Sequence, residues 1–384
     1  MDTYFEHIKE ELKEIRRELH KIPEAGLQEY QTSAYIREKL QSFGVERIET
    51  WLETAVAAIF GEEGETIAFR ADMDGLPVQE TPKEYASRHP GWMHACGHDG
   101  HTAILLGFAK YLCDHPEAYA HRRVVLIFQP AEEGPGGAKL LIDAGLLRKY
   151  EIKKIIGCHI FPQVPQGKIA CRKGAMMARN GEVDLYIRGT SAHGAQPHLG
   201  NDAVLAAGAV ITAIHTILSR NVSPLDSGVL TFGSIHGGEA CNIIAREVKL
   251  EGTMRAFSDT AYETMEKRVH EVVQGVAAGY GCQGEAVFRH MYRVVDNNPE
   301  LVQALQEVCG DAYEETPPYM LAEDFSLYQT QIPGMFFFLG SGNAEKGFTA
   351  SLHSAEFDFD EAILATGAET YAKLLQKLSG YSIK

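Results

Sequence analysis

The stretch MHACGHDGHTAILLG, residues 93–107, brings His94, Cys96, His98, Asp99 and His101 together just ahead of an apolar run. Three more apolar runs end in side chains of the same kinds: FQPAEEG with Glu132 and Glu133, IIGCHI with Cys158 and His159, and SLHSAEF with His353. A thiolate, imidazoles and carboxylates form a borderline donor set that suits Zn, Co, Ni or Mn more than Ca or Mg. Cys96 and His98 stand two apart on a glycine turn, so both side chains can approach one ion. HDGH is not HExxH, and its spacing and lack of Glu exclude that zinc-protease motif.

Singly, each piece has a plainer explanation. A lone buried histidine or cysteine is more often packing than ligand, and an isolated Glu-Glu pair is more often a solvated turn. The coincidence carries the argument. Two adjacent carboxylates closing a run as apolar as VVLIFQ sit near the buried mouth of a sheet, where unpaired charge is costly and a metal compensates it. Two cations roughly 3.5–4 Å apart can activate water, polarise an amide carbonyl and stabilise the tetrahedral intermediate. A neighbouring carboxylate that does not ligate can take the water's proton and pass it to the leaving amine.

The elements that must position these groups follow from periodicity. Residues 4–21 and 32–43 read as amphipathic helices, with apolar residues returning at three- and four-residue spacing. TAVAAIFG and TIAFRADMDGLP read as strands, and GHTAILLGFAKYL as a helix. VVLIFQ and KKIIGCHI are continuous apolar runs, as expected of strands covered on both faces. Strands alternating with helices and ending in His, Asp or Glu make an α/β pattern whose ligands gather beyond the carboxyl ends of the strands. From residue 181 the character changes. EVDLYIRG, DAVLAAGAVITAIHTIL, GVLTFGSIHGG, EVKLEGTMRAF, TAYETMEKRVHEVVQGVAAGYG and GEAVFRHM give the order β-α-β-β-α-β of a ferredoxin-like unit. The expected architecture is α/β in two domains. A discontinuous mixed-sheet catalytic domain, residues 1–180 and 293–384, is interrupted by an inserted α+β domain, residues 181–292.

The bulk numbers agree with that organisation. At 384 residues the chain exceeds one comfortable core. Apolar residues make up 45% and charged residues 23%, the mix of an ordinary globular protein. Lys and Arg number 36 against 52 Asp and Glu, a formal net charge of −16 that repels nucleic acid and anionic membranes. The acidic-basic start MDTYFEHIKEELKEIRRELHKIPEAG lacks the apolar core of a signal peptide, and no apolar stretch reads as long enough to span a bilayer. The expected compartment is the cytoplasm. Seven scattered cysteines favour free thiols or ligands over disulfides.

Taken together, RADMDGLP, MHACGHDGHT, FQPAEEG, GCHI, SAHGAQPH, EGTMRAF, AEDFS and LHSAEF resemble one family in order along nearly the whole chain. It is the aminoacylase/carboxypeptidase-like metal-dependent amidohydrolases, in the subgroup of hippurate hydrolases, auxin-conjugate hydrolases and N-acetyldiaminopimelate deacetylases. The resemblance implies that Cys96, His98, Glu133, His159 and His353 bind two divalent metals (Zn, Mn, Co or Ni) and that Glu132 is the general base. It also implies an aspartate that orients a metal ligand. Asp72 and Asp74 are both available, with Asp72 preferred. In the inserted lid, which in the family dimerises, it implies that His193 stabilises the oxyanion or the substrate carboxylate, and that Asn242 and Arg255 grip that carboxylate. LAEDF departs from the Gly-Glu-Asp common in relatives, so Glu323 and Asp324 receive no role; His94 and His101 read as structural.

The activity implied is removal of a small acyl group, acetyl first, from an N-acyl amino acid. N-acetyldiaminopimelate deacetylation is the alternative and dipeptide cleavage the third. The expected partners are a small-molecule substrate and a second copy of the chain, as a homodimer or dimer of dimers. A catalytically silent metal- or ligand-binding relative would not need Glu132 beside Glu133. A Cys96 nucleophile with His98 as base would leave Glu132, Glu133, His159 and His353 without work.

Overall fold

The runs VVLIF, TIAFRA and IIGCHI become neighbouring parallel strands, because side chains apolar on both faces need layers on both sides. The structure, a computed structural model, describes residues 2–379. The chain separates into two compact units: Met1–Gly174, Asp296–Pro317 and Asp324–Lys384 form the first, and Ala175–Val295 with Pro318–Glu323 the second. The breaks thus fall near Gly174 and Val295, and residues 318–323 return to the second unit without a sequence signal.

The first unit holds an eight-stranded mixed sheet. In spatial order its strands are Arg47–Trp51, Ala55–Phe60, Arg123–Gln129, Thr66–Asp72, Ile152–Pro165, Gly334–Gly342, Ile169–Cys171 and Tyr313–Glu315. The middle four, from Arg123–Gln129 to Gly334–Gly342, run parallel, and the outer strands Ala55–Phe60 and Ile169–Cys171 pair antiparallel with them. Strands Ala55–Phe60 and Thr66–Asp72 are buried at every position, so both faces are covered. The helix His98–Asp114 is buried along nearly its whole length, and packs against helices Lys9–His20 and Ile363–Ser379. The expected first helix is two, Asp2–His7 and Lys9–His20.

The second unit is ferredoxin-like. Strands Gln283–His290, Arg179–Arg188, Glu247–Ala256 and Gly228–Gly237 form an all-antiparallel sheet in that order. The helices Ala203–Ile214 and Asp259–Gly279 are capped by Asp202 and Ser258, whose side chains accept their first free amides. They bury Ala206, Ala207, Val210, Met265 and Val269 in one core with Val183, Leu185, Leu250 and Met254.

One expectation needs correction: the window Ala203–Arg220 is long and apolar enough, by length and composition, to cross a membrane. Here Val210, Ile214 and Ile217 are buried in that same core, while Val204 and Leu205 are exposed.

Candidate metal centre

Each group singled out in the first unit stands within or beyond a strand of the parallel stretch, or at the head of the helix that follows. Asp72 ends its strand and Asp74 follows it; Glu132 and Glu133 follow Gln129; His159 lies in the strand Ile152–Pro165. Cys96 precedes helix His98–Asp114, which is entered through Gly97 at φ 84°. His353 lies on a loop at φ 64°, a left-handed conformation unusual for a residue with a Cβ.

The fold brings Cys96, His98, Glu132, Glu133, His159 and His353 together. Donor atoms of Cys96, His98 and His159 all lie within 4.8 Å of one another, as do those of Cys96, Glu133 and His353, and those of His98, Glu132 and Glu133. Cys96 Sγ is 3.4 Å from His159 Nε2, and His353 Nε2 is 3.2 Å from Glu133 Oε1. Cys96, His98, Glu132 and His159 are buried, whereas His353 is exposed.

Neighbouring acceptors decide which ring nitrogen faces the cluster. His98 Nδ1 lies 3.1 Å from Asp74 Oδ1 and His159 Nδ1 lies 2.7 Å from the Ile160 carbonyl. Carboxylate and carbonyl oxygens only accept, so both Nδ1 atoms carry a proton, and in the neutral rings that a metal requires both Nε2 atoms present lone pairs. This is how metal-ligating histidines are commonly braced. Asp74 Oδ2 also accepts the Glu133 N–H at 3.0 Å, so one carboxylate ties two of the candidate ligand segments together.

Asp72, the aspartate preferred from sequence, sits elsewhere. Its Oδ1 accepts from His101 Nδ1 at 2.6 Å and its Oδ2 from Arg70 Nη1 at 2.6 Å, while His98 Nε2 is 3.8 Å away. Strand geometry aims Asp72 at the next turn of the helix, whereas Asp74, past the strand end, reaches His98 Nδ1. His101 is saturated on both sides, since its Nε2 accepts the Ile160 N–H at 2.8 Å.

The donor set fits cations. His98 Nε2 is buried and makes no hydrogen bond, an expensive state unless a ligand completes it. The field is negative. Burial opposes a charge on His98, yet Asp72, Asp74 and Glu133 outweigh it and push its pKa up to about 10. Burial, with Glu133, Glu132 and Asp72, holds the Cys96 thiol well above its ordinary value. A divalent cation reverses that balance by stabilising the thiolate.

Beneath the cluster lies a layer the sequence did not reveal. Arg70, fully buried in its strand, donates to Gln129 Oε1, Asp72 Oδ2 and Asp324 Oδ1 at 2.9, 2.6 and 2.8 Å. Asp324 also accepts from Gln129 Nε2 and the Ala138 N–H. The signals were a charge inside an apolar strand and Asp324 in AEDFS, which received no role from sequence.

The residues expected to bind substrate lie in the second unit. His193 and Asn242 occupy adjoining segments joined by the Gly194 N–H to the Asn242 carbonyl at 2.7 Å, and both are exposed. Arg255 is half-buried on strand Glu247–Ala256, with Nη1 donating to the Met320 carbonyl.

Comparison with known proteins agrees with this geometry. The sequence pattern of Peptidase family M20/M25/M40 matches residues 68–377. N-acetyldiaminopimelate deacetylases of Halalkalibacterium halodurans and Bacillus subtilis are 39% and 38% identical to the chain, over 92% and 93% of it and 95% and 96% of their own lengths. A crystal structure from methicillin-resistant Staphylococcus aureus superposes with a TM-score of 0.91 at 32% identity, covering 98% of both chains. A dinuclear metal binding peptidase of Bacillus subtilis, from family M20, superposes with a TM-score of 0.85 at 31% identity, covering 96% of this chain and 98% of that one. With these donors gathered on and beyond the central strands of this sheet, the chain belongs to Peptidase family M20/M25/M40, as a metal-dependent amidohydrolase.

Proposed function

We propose that the chain removes the acetyl group from an N-acetylated amino acid, with N-acetyldiaminopimelate as the first substrate to try. The observation carrying the chemistry is the convergence of Cys96, His98, Glu132, Glu133, His159 and His353 within one unit. The sequence alone favoured a broader N-acyl amino acid hydrolase; the names of the similar deacetylases move the preference to the alternative.

Cys96, His98, Glu133, His159 and His353 would hold two divalent cations of the Zn, Mn, Co or Ni kind, with Cys96 common to two of the donor groups. Bound there, the cations polarise the acyl carbonyl and lower the pKa of water. Glu132 takes a proton from the attacking water and returns it to the leaving nitrogen, so amide and water become carboxylate and amine. Asp74 holds the His98 ring and the Glu133 backbone in place. His193, Asn242 and Arg255 bind the substrate's carboxylate or the developing oxyanion, with Arg255 oriented by the Met320 carbonyl. We place the enzyme in the cytoplasm as a homodimer formed through the second unit, where Leu199, Val204, Leu205 and Ile235 are exposed.

The test reconstitutes chelated protein with each metal and assays N-acetyldiaminopimelate, other N-acetyl amino acids, N-benzoyl amino acids and dipeptides. Hydrolysis that vanishes with chelation and returns with metal is expected. Equal rates from metal-free protein would overturn the mechanism. Glu132→Gln is expected to keep its metal and lose about 10²–10⁴-fold in turnover. An unchanged rate would remove Glu132 from the reaction.

A further inference from the structure

The turn that carries Glu132 and Glu133 is held from a part of the chain that the reaction does not otherwise use. Glu29, at the head of helix Tyr30–Ser42, is fully buried. Its Oε1 accepts the Ala131 N–H at 2.9 Å and its Oε2 accepts the Thr54 hydroxyl at 3.0 Å. Both donors are neutral, and burial pushes the Glu29 carboxyl up to about 7. Such a group is expensive for packing alone, since an apolar side chain would fill the space without desolvation.

Its partner is the residue before Glu132. Ala131 adopts φ 57°, a left-handed conformation that persists only where the surroundings over-determine it. Its carbonyl accepts the Gly136 and Gly137 N–H groups, both at 3.0 Å, and its own N–H goes to Glu29. Asp74 takes the Glu133 N–H. Carboxylates therefore grip the turn on either side of Glu132.

The loop preceding Glu29 leans on the same region. A Cβ on Gly26 would lie 2.5 Å from the Gly134 carbonyl oxygen and 2.9 Å from Ala131 Cβ, so backbone approaches backbone there with no room for a side chain. Two residues earlier, the Glu24 carbonyl accepts the Gly75 N–H at 2.7 Å, next to Asp74. Residues 24–29 thus touch the turn after Asp74 and the turn of Glu132.

We propose that Glu29 is a positioning residue: by fixing the Ala131 amide it aims Glu132 and Glu133, and it acts only through them. The proposal rests on the reading of Glu132 as base and Glu133 as ligand. A displacement of about 1 Å in a catalytic group costs on the order of 10²-fold in rate.

The experiment compares wild type with Glu29→Ala, Glu29→Gln and Thr54→Val as metal-loaded enzymes. It measures kcat and KM on N-acetyldiaminopimelate, the absorption of the Co²⁺-loaded protein, and hydrogen exchange of the Ala131 amide. Gln keeps an oxygen that can accept the Ala131 N–H. Glu29→Ala is expected to lose about 10²-fold in kcat with KM nearly unchanged, and to shift the Co²⁺ spectrum. Glu29→Gln and Thr54→Val are expected to stay near wild type. Wild-type kcat in Glu29→Ala, or a Glu29→Gln as impaired as Glu29→Ala, overturns the proposal. Should Glu29→Ala not fold, the wild-type Ala131 amide decides: slow exchange supports the grip, and exchange at the rate of an exposed amide refutes it. A wild type that binds Co²⁺ but hydrolyses nothing counts against the proposed function, while the exchange measurement still judges Glu29.

Discussion

Asp74 accepts the proton of His98 Nδ1 at 3.1 Å, and so turns the other nitrogen of that ring, buried and without a hydrogen bond, toward the cluster of donors. Asp72, two residues earlier, is committed to His101 and Arg70. Two aspartates in one pentapeptide therefore separate into different tasks.

Asp74→Asn is expected to weaken metal binding by about 10–100-fold, because an amide cannot accept from both His98 and the Glu133 N–H. Asp72→Asn is expected to cost more in stability than in metal affinity, since it weakens a buried pairing with Arg70. Equilibrium dialysis and urea denaturation of both variants separate the effects, and a larger affinity loss in Asp72→Asn would reverse the assignment.

Arg16 is fully buried and meets Asp99, Asp358 and Glu361 at 2.7, 2.9 and 3.3 Å. Arg16→Met removes the guanidinium from Asp99 and Asp358, while Glu361 keeps Arg17, and is expected to destabilise the protein by about 3–5 kcal/mol, read from urea unfolding. Arg16→Lys should recover only part of this, because a point charge cannot reproduce the fork.

Glu80 gives stability a dependence on acid. Burial raises its pKa, but His20, Lys83 and the Ser87 N–H outweigh that and pull it down to about 2, from an ordinary 4.5. A folded-state value below the unfolded one adds stability above pH 4.5 and loses it as pH falls toward 2. Glu80→Gln is thus expected to cost about 2 kcal/mol at pH 7, a full shift of ~3 discounted for screening, and less at pH 3. Urea titrations at both pH values check whether the gap narrows.

Asp202 caps helix Ala203–Ile214 by accepting the Val204 and Leu205 N–H groups at 2.9 and 3.1 Å. Asp202→Ala is expected to destabilise by about 1 kcal/mol, with hydrogen exchange rising first in the opening turn of that helix.

Much of this was legible in the sequence where the physics is local. The strands Arg123–Gln129 and Ile152–Pro165 announced themselves as unbroken apolar runs, and the helices of the second unit by their place between its strands. Strands of three residues such as Ile169–Cys171 and Tyr313–Glu315 gave no such signal, because they exist only through the neighbours that pair with them. The donor residues were visible because their types are rare after apolar runs. The choice between Asp72 and Asp74 was not, since it depends on which turn of helix His98–Asp114 each carboxylate meets in space. Nothing in the sequence singled out Glu29, and only the fold shows that it reaches Ala131.

Arg16 pairs with a carboxylate 345 residues further along, at Glu361, and the candidate ligand His353 lies only eight residues before that carboxylate. On the ribosome, the helix Lys9–His20 therefore emerges long before the groups that neutralise it, and the first unit stays unfinished until residues 353–361 have been made. Chains cut before residue 353 should accordingly yield aggregates instead of a smaller working enzyme.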